Sequence, residues 1–176
     1  MTRAKERKLR NAKELIRSKI ITLAKANRAE EAVPIVDAIV AKAQKKRDAA
    51  GRRTVFDLDY AKVLMLRRDF LVTARSPEAD AANEELQSFL AEQVKTDQPW
   101  VLMMELYVSE KLALIRKQIQ DDPPSAREEL TALKEFFTES WKETERQDFS
   151  REMLFQSTKQ AEEELLKVEQ EKEKNN

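Results

Sequence analysis

Gly51 is the only glycine in this chain of 176 residues, and it constrains the fold more than any other feature. β-Hairpins and Greek-key connections depend on turns in which glycine or asparagine adopts a positive φ angle. Strong helix formers dominate the composition, and apolar residues reach 41%, which is enough to build a packed core. The sequence therefore predicts an all-α fold.

The spacing of apolar residues at intervals of three and four indicates seven amphipathic helices. They are predicted at about residues 3–26, 29–50, 54–74, 77–94, 100–120, 125–144 and 148–168. Ser76 followed by Pro77 is a typical helix start, and Asp122 is a candidate cap for the sixth helix. The inward stripe of the seventh helix is predicted to include Met153 and Leu165.

Short turns join these helices in pairs, which predicts three antiparallel helical hairpins followed by a C-terminal capping helix. The second helix of each pair begins near Arg28, Ser76 and Asp122, at spacings of 48 and 46 residues. We expect residues 1–168 to form a single helical array and residues 169–176 to form a frayed, charged tail. An irregular helical bundle is the alternative architecture.

Residues 23–35, with the sequence LAKANRAEEAVPI, resemble the turn between the two helices of a tetratricopeptide repeat. In that family a small residue, here Ala32, allows the paired helices to approach closely. The resemblance implies a short solenoid whose first helices line a groove that holds a peptide or helix of a partner protein. Six residues on the first helices are candidates for this contact: Lys13, Arg17, Lys62 and Arg67, with Tyr60 and Tyr107 as aromatic anchors.

The absence of cysteine and histidine from the sequence excludes several kinds of active site. Zinc sites need thiolate or imidazole ligands, and the common nucleophilic mechanisms need a histidine or cysteine partner. A phosphate-binding loop needs several clustered glycines. Carboxylate-only sites for Mg²⁺ or Ca²⁺, and paired carboxylates, stay open, but no pair stands out. We therefore expect no catalytic residues, metal ligands or cofactor, and a scaffold or adaptor role instead.

The charge is distributed unevenly, although 33 basic residues balance 33 acidic ones. Through Arg53 there are 16 Lys and Arg against 6 Asp and Glu, and the rest of the chain carries 17 against 27. This asymmetry favours two further interpretations, self-association between opposite ends and binding of RNA or the ribosome. The polyanion-binding candidates are Arg3, Lys5, Arg7, Lys8, Arg10, Lys13, Lys45, Lys46, Arg47, Arg52 and Arg53.

The sequence also predicts where the chain resides. It has neither an apolar stretch long enough to span a bilayer nor a signal-peptide pattern after its basic N-terminal residues. A cytoplasmic location is the expectation that follows from these two observations.

Overall fold

A computed structural model describes residues 18, 22–23, 28–50, 55–95, 101–140 and 149–174. After a 3₁₀ turn at Ala29–Glu31, six α-helices follow: α1 (Val33–Ala50), α2 (Val55–Thr73), α3 (Ala79–Val94), α4 (Val101–Asp121), α5 (Pro123–Ser140) and α6 (Phe149–Lys174). No strand occurs within these ranges. The prediction of an all-α fold is therefore confirmed, and α1 to α6 correspond to the second to seventh predicted helices. The first predicted helix lies almost wholly outside the described residues.

The chain divides into two compact units, Met1–Phe89 and Leu90–Asn176, with the boundary inside α3. In the first unit α1 packs along α2. Ala32 is fully buried there and shares a core cluster with Val36, Phe70 and Leu71. The small side chain at this position leaves room for the larger residues of α2, as close helix packing requires.

In the second unit α4, α5 and α6 all pack against one another. Their core is a continuous apolar cluster that includes Ile115, Leu130, Phe137 and Leu165. Leu154 of α6 also belongs to this core, whereas Met153 is 55% exposed. The prediction that Met153 faces inward was therefore wrong, because the apolar stripe of α6 passes through the next residue.

The helix boundaries follow local capping interactions. Ser76 Oγ accepts a hydrogen bond from the Glu78 amide at 3.2 Å, before α3 begins at Ala79. Asp122 Oδ1 accepts from the Ser125 amide at 3.2 Å, so Asp122 caps α5 as predicted.

The end of α2 is unusual because Arg75, which is not a glycine, adopts a φ of 52°. The Ser76 amide then reaches back to the Leu71 carbonyl at 2.9 Å, which closes the last turn of the helix.

Helix α6 continues through Lys174, so residues 169–174 of the predicted frayed tail are helical. Glu169 pairs with Arg127 of α5, and Lys172 Nζ donates to the Gln120 carbonyl of α4 at 2.9 Å. These contacts hold the end of α6 against the other two helices of the unit. Residues 175 and 176 lie outside the described residues, and the prediction of a single array over 1–168 stays a prediction.

Candidate interaction surface

Arg47 of α1 lies at the centre of a polar and aromatic cluster in the first unit. Its Nε donates to Asp57 Oδ1 at 2.7 Å, and the Asp57 side chain is only 5% exposed. The Arg47 guanidinium carbon also lies 4.8 Å from the Phe89 ring centroid and 5.5 Å from that of Tyr60. A cation held over two rings and against a buried carboxylate stabilises the packing of α1 on α2 and α3.

Tyr60, one of the two predicted aromatic anchors, is buried in this same cluster. Its ring meets the Phe89 ring edge to face, with centroids 5.0 Å apart. The hydroxyl donates to Glu85 Oε1 at 3.4 Å. Burial raises the pKa of Tyr60 above its ordinary value of 10.0, and the Glu85 carboxylate adds to this effect while Arg47 opposes it. The side chain is therefore engaged within the chain.

Arg67, another predicted contact residue, is surrounded by carboxylates from two neighbouring helices and the turn before α3. Its guanidinium lies 2.9 Å from Asp37, 3.2 Å from Glu85 and 3.5 Å from Glu78. Three acidic partners leave this cation little capacity for a further ligand. Lys62, in contrast, is exposed on α2, and Lys13 and Arg17 lie outside the described residues.

The basic residues predicted to cluster around Gly51 differ in whether they have an acidic partner. Lys45 and Lys46 are exposed on α1 with no ion-pair partner among the described residues, whereas Arg47 is engaged as above. Lys42, which the sequence analysis did not single out, is also exposed and lies on the same side of α1 as Lys45 and Lys46. The other members of the basic clusters lie outside the described residues: Arg3, Lys5, Arg7, Lys8, Arg10, Lys13, Arg52 and Arg53.

Tyr107, the second predicted anchor, is half-buried on α4 and contacts a half-buried aromatic residue of α5. Its ring meets that of Phe136 edge to face, with centroids 5.2 Å apart and an interplanar angle of 73°. The next residue, Phe137, is buried in the core of the unit. Two consecutive phenylalanines cannot face the same side of a helix. Phe137 is therefore buried in the core, and Phe136 lies at the surface with Tyr107.

Polar groups lie along the α4–α5 hairpin that carries this aromatic pair. Gln118 Nε2 donates to Glu129 Oε1 at 3.4 Å, and Lys111 Nζ lies 3.9 Å from Glu129 Oε2. Burial raises the pKa of Tyr107 above its ordinary value of 10.0, and the nearby Glu129 carboxylate adds to the effect. The hydroxyl therefore stays protonated near neutral pH and can donate a hydrogen bond.

The described residues hold neither a metal-binding cluster nor a membrane-spanning helix. No group of three or more His, Cys, Asp or Glu side chains is arranged there to hold a metal ion. None of the described helices combines the length and the apolar character that crossing a bilayer requires.

Sequence reasoning identified Tyr107 but missed its partner on α5. The signal was present, since the consecutive Phe136 and Phe137 indicate that one ring lies off the core stripe. The spacing of Leu130, Leu133 and Phe137 at intervals of three and four already predicts Phe137 on the core stripe, where the structure has it, and so leaves Phe136 off that stripe. Comparison of the chain with protein-family models, with curated proteins and with solved structures finds no match.

Proposed function

We propose that this protein is a non-enzymatic interaction module, a scaffold or adaptor that binds a peptide or helix of a partner protein. The observation that carries the proposal is the half-buried Tyr107–Phe136 pair on the α4–α5 hairpin. Partly exposed aromatic rings are enriched at protein interfaces, because they offer much apolar area for little loss of side-chain entropy. The resemblance of residues 23–35 to a tetratricopeptide repeat supports the same proposal, because in the layout that the resemblance implies, α4 would be the first helix of the third hairpin.

The chemistry of the pair indicates what such a partner presents. An apolar side chain of the partner would rest against the Tyr107 and Phe136 rings, where it removes further apolar area from water. The Tyr107 hydroxyl would donate to a carbonyl or carboxylate of the partner. Lys111 and Glu129, which are 3.9 Å apart, would supply one charge of each sign at the edge of the contact.

The test is an affinity pull-down from native lysate with the full chain, with and without nuclease, followed by quantitative mass spectrometry. A Tyr107→Ala/Phe136→Ala variant should lose a captured protein that wild type retains after nuclease treatment. Leu102→Ala is the matched control, since Leu102 is also on α4 and is 41% exposed. The captured protein, once purified, should bind wild type directly and the double variant at least about tenfold more weakly. Equal capture by all three proteins contradicts the proposal.

A second candidate function, binding of RNA or the ribosome, is supported by the exposed lysines on one side of α1. Lys42, Lys45 and Lys46 fall within an arc of about 100° around that helix, and Arg52 and Arg53 follow in the sequence. Cations with no acidic partner can neutralise phosphates and release condensed counterions.

Titration of a labelled RNA at two salt concentrations tests this second candidate. Reversal of Lys42, Lys45 and Lys46 to Glu should abolish binding and its salt dependence. The matched control reverses three other exposed lysines to Glu, which changes the net charge by the same amount. These are Lys117 on α4, Lys167 on α6 and Lys95 just after α3. If all three proteins bind equally weakly at low salt, α1 is not a nucleic-acid interface.

A further inference from the structure

Helix α6 carries two exposed apolar side chains on a side that does not face the core of its unit. Phe155 is 39% exposed and Leu166 is 47% exposed, whereas Leu154, Ala161 and Leu165 are buried. Eleven residues correspond to just over three full turns, so Phe155 and Leu166 differ by only about 20° around the helix and lie about 16 Å apart along it. They therefore form one apolar stripe with a gap in the middle.

Three charged residues lie in that gap, and one of them, Glu162, is already paired with Lys134 of α5, which leaves two opposite charges. Lys159 and Glu163 are both exposed and lie on the same side of α6 as the two apolar residues. The Lys159 ammonium lies 4.5 Å from the Phe155 ring centroid, which places it at the edge of the stripe. No residue in the described part of the chain forms an ion pair with Glu163.

The order of these four residues is self-complementary when a second α6 runs antiparallel to the first. Phe155 of one copy then meets Leu166 of the other, and each Lys159 lies beside Glu163 of the other copy. One register satisfies both pairings, because the midpoint between 155 and 166 nearly coincides with the midpoint between 159 and 163. A parallel pair in register would instead place Lys159 against Lys159 and Glu163 against Glu163.

We propose that two copies of this chain associate through α6 in an antiparallel, two-fold symmetric contact. Each copy presents the same stripe, so the contact closes as a dimer and does not extend into a filament. The apolar pairs provide the burial, and the Lys159–Glu163 pairs select the antiparallel orientation. The contact is independent of the Tyr107–Phe136 surface, which involves α4 and α5. A single pair of helices buries little area, so the dimer is a weak one.

Sedimentation equilibrium of the full chain, over a concentration series up to roughly 1 mM and at low salt, tests the proposal. Wild type should show a monomer–dimer equilibrium. Phe155→Ser/Leu166→Ser should raise the dissociation constant at least about tenfold. Met153→Ser is the matched control, because Met153 is an exposed apolar residue on another side of α6 and its loss should leave the dimer unchanged.

Charge reversal tests the register. Lys159→Glu alone and Glu163→Lys alone should each weaken the dimer by about tenfold, because each creates like-charge pairs. The double variant Lys159→Glu/Glu163→Lys should recover association. Circular dichroism of every variant confirms that the fold is retained. A wild type that stays monomeric, a dimer indifferent to the Phe155 and Leu166 changes, or a double reversal that fails to recover association each overturns the proposal.

Discussion

Replacement of Arg47 by methionine removes the cation from a buried carboxylate while keeping most of the side-chain volume. Loss of one partner of a buried ion pair typically costs about 3–5 kcal/mol, because the other charge stays buried. Arg47 is itself 27% exposed, so solvent already screens part of this interaction. Loss of the contacts with the Tyr60 and Phe89 rings adds about 1 kcal/mol. We expect Arg47→Met to lower the free energy of unfolding by about 3 kcal/mol.

The double variant Arg47→Met/Asp57→Asn distinguishes the ion pair from simple packing. With both charges removed, no charged group remains buried at this position, and the total loss should fall to about 1 kcal/mol. The exposed pair Arg28–Glu31, with side chains 61% and 52% exposed, is the control, and Arg28→Met should leave the free energy of unfolding nearly unchanged because solvent screens this pair.

Urea unfolding followed by far-UV circular dichroism measures these differences. If Arg47→Met costs less than about 1 kcal/mol, or if the double variant is no more stable than the single one, the buried pair does not contribute as the geometry implies.

Three further outcomes are expected. Ile115→Ala, at a fully buried position of α4, should lower the free energy of unfolding by about 2–5 kcal/mol in urea, whereas Leu102→Ala on the same helix should lower it by less than about 1 kcal/mol. Similar losses of stability in both variants would contradict the difference in burial between the two residues. Arg75→Gly should raise the free energy of unfolding by up to about 1 kcal/mol, because glycine adopts a positive φ without steric cost, and a loss of stability would refute this account. Tyr60 and Tyr107, the only tyrosines, should ionise above pH 10.0 in ultraviolet titration. Because folding raises their pKa, the free energy of unfolding should fall as the pH rises beyond that value. Ionisation of both tyrosines at the ordinary pKa of 10.0 would refute the burial argument.

Features that depend on a few neighbouring residues were predictable from the sequence. Ser76 and Asp122 each accept a hydrogen bond from an amide two or three residues away, so a short motif is enough to mark the start of a helix. The end of α2 was also located near residue 74, although Arg75 provides no glycine signal for its positive φ angle.

Features that depend on how helices meet were not predictable. Arg47 was grouped with Lys45 and Lys46 as a polyanion ligand, but its partner Asp57 lies on the next helix. The prediction for Met153 failed for a different reason. Leu154 lies about 20° from both Ala161 and Leu165 around α6, whereas Met153 lies about 80° and 120° from them, so the helical spacing itself favoured Leu154.

The bridges between helices in the second unit also bear on the order in which it folds. Gln118 of α4 meets Glu129 of α5 across only 11 residues of sequence, whereas the contacts from α6 to Arg127 of α5 and Gln120 of α4 span 42 and 52 residues. Closing a longer loop costs more entropy before its contacts form. We therefore expect the α4–α5 hairpin to be structured in the transition state for folding and α6 to dock afterwards. Substitutions on α6 should then speed unfolding and leave the folding rate almost unchanged.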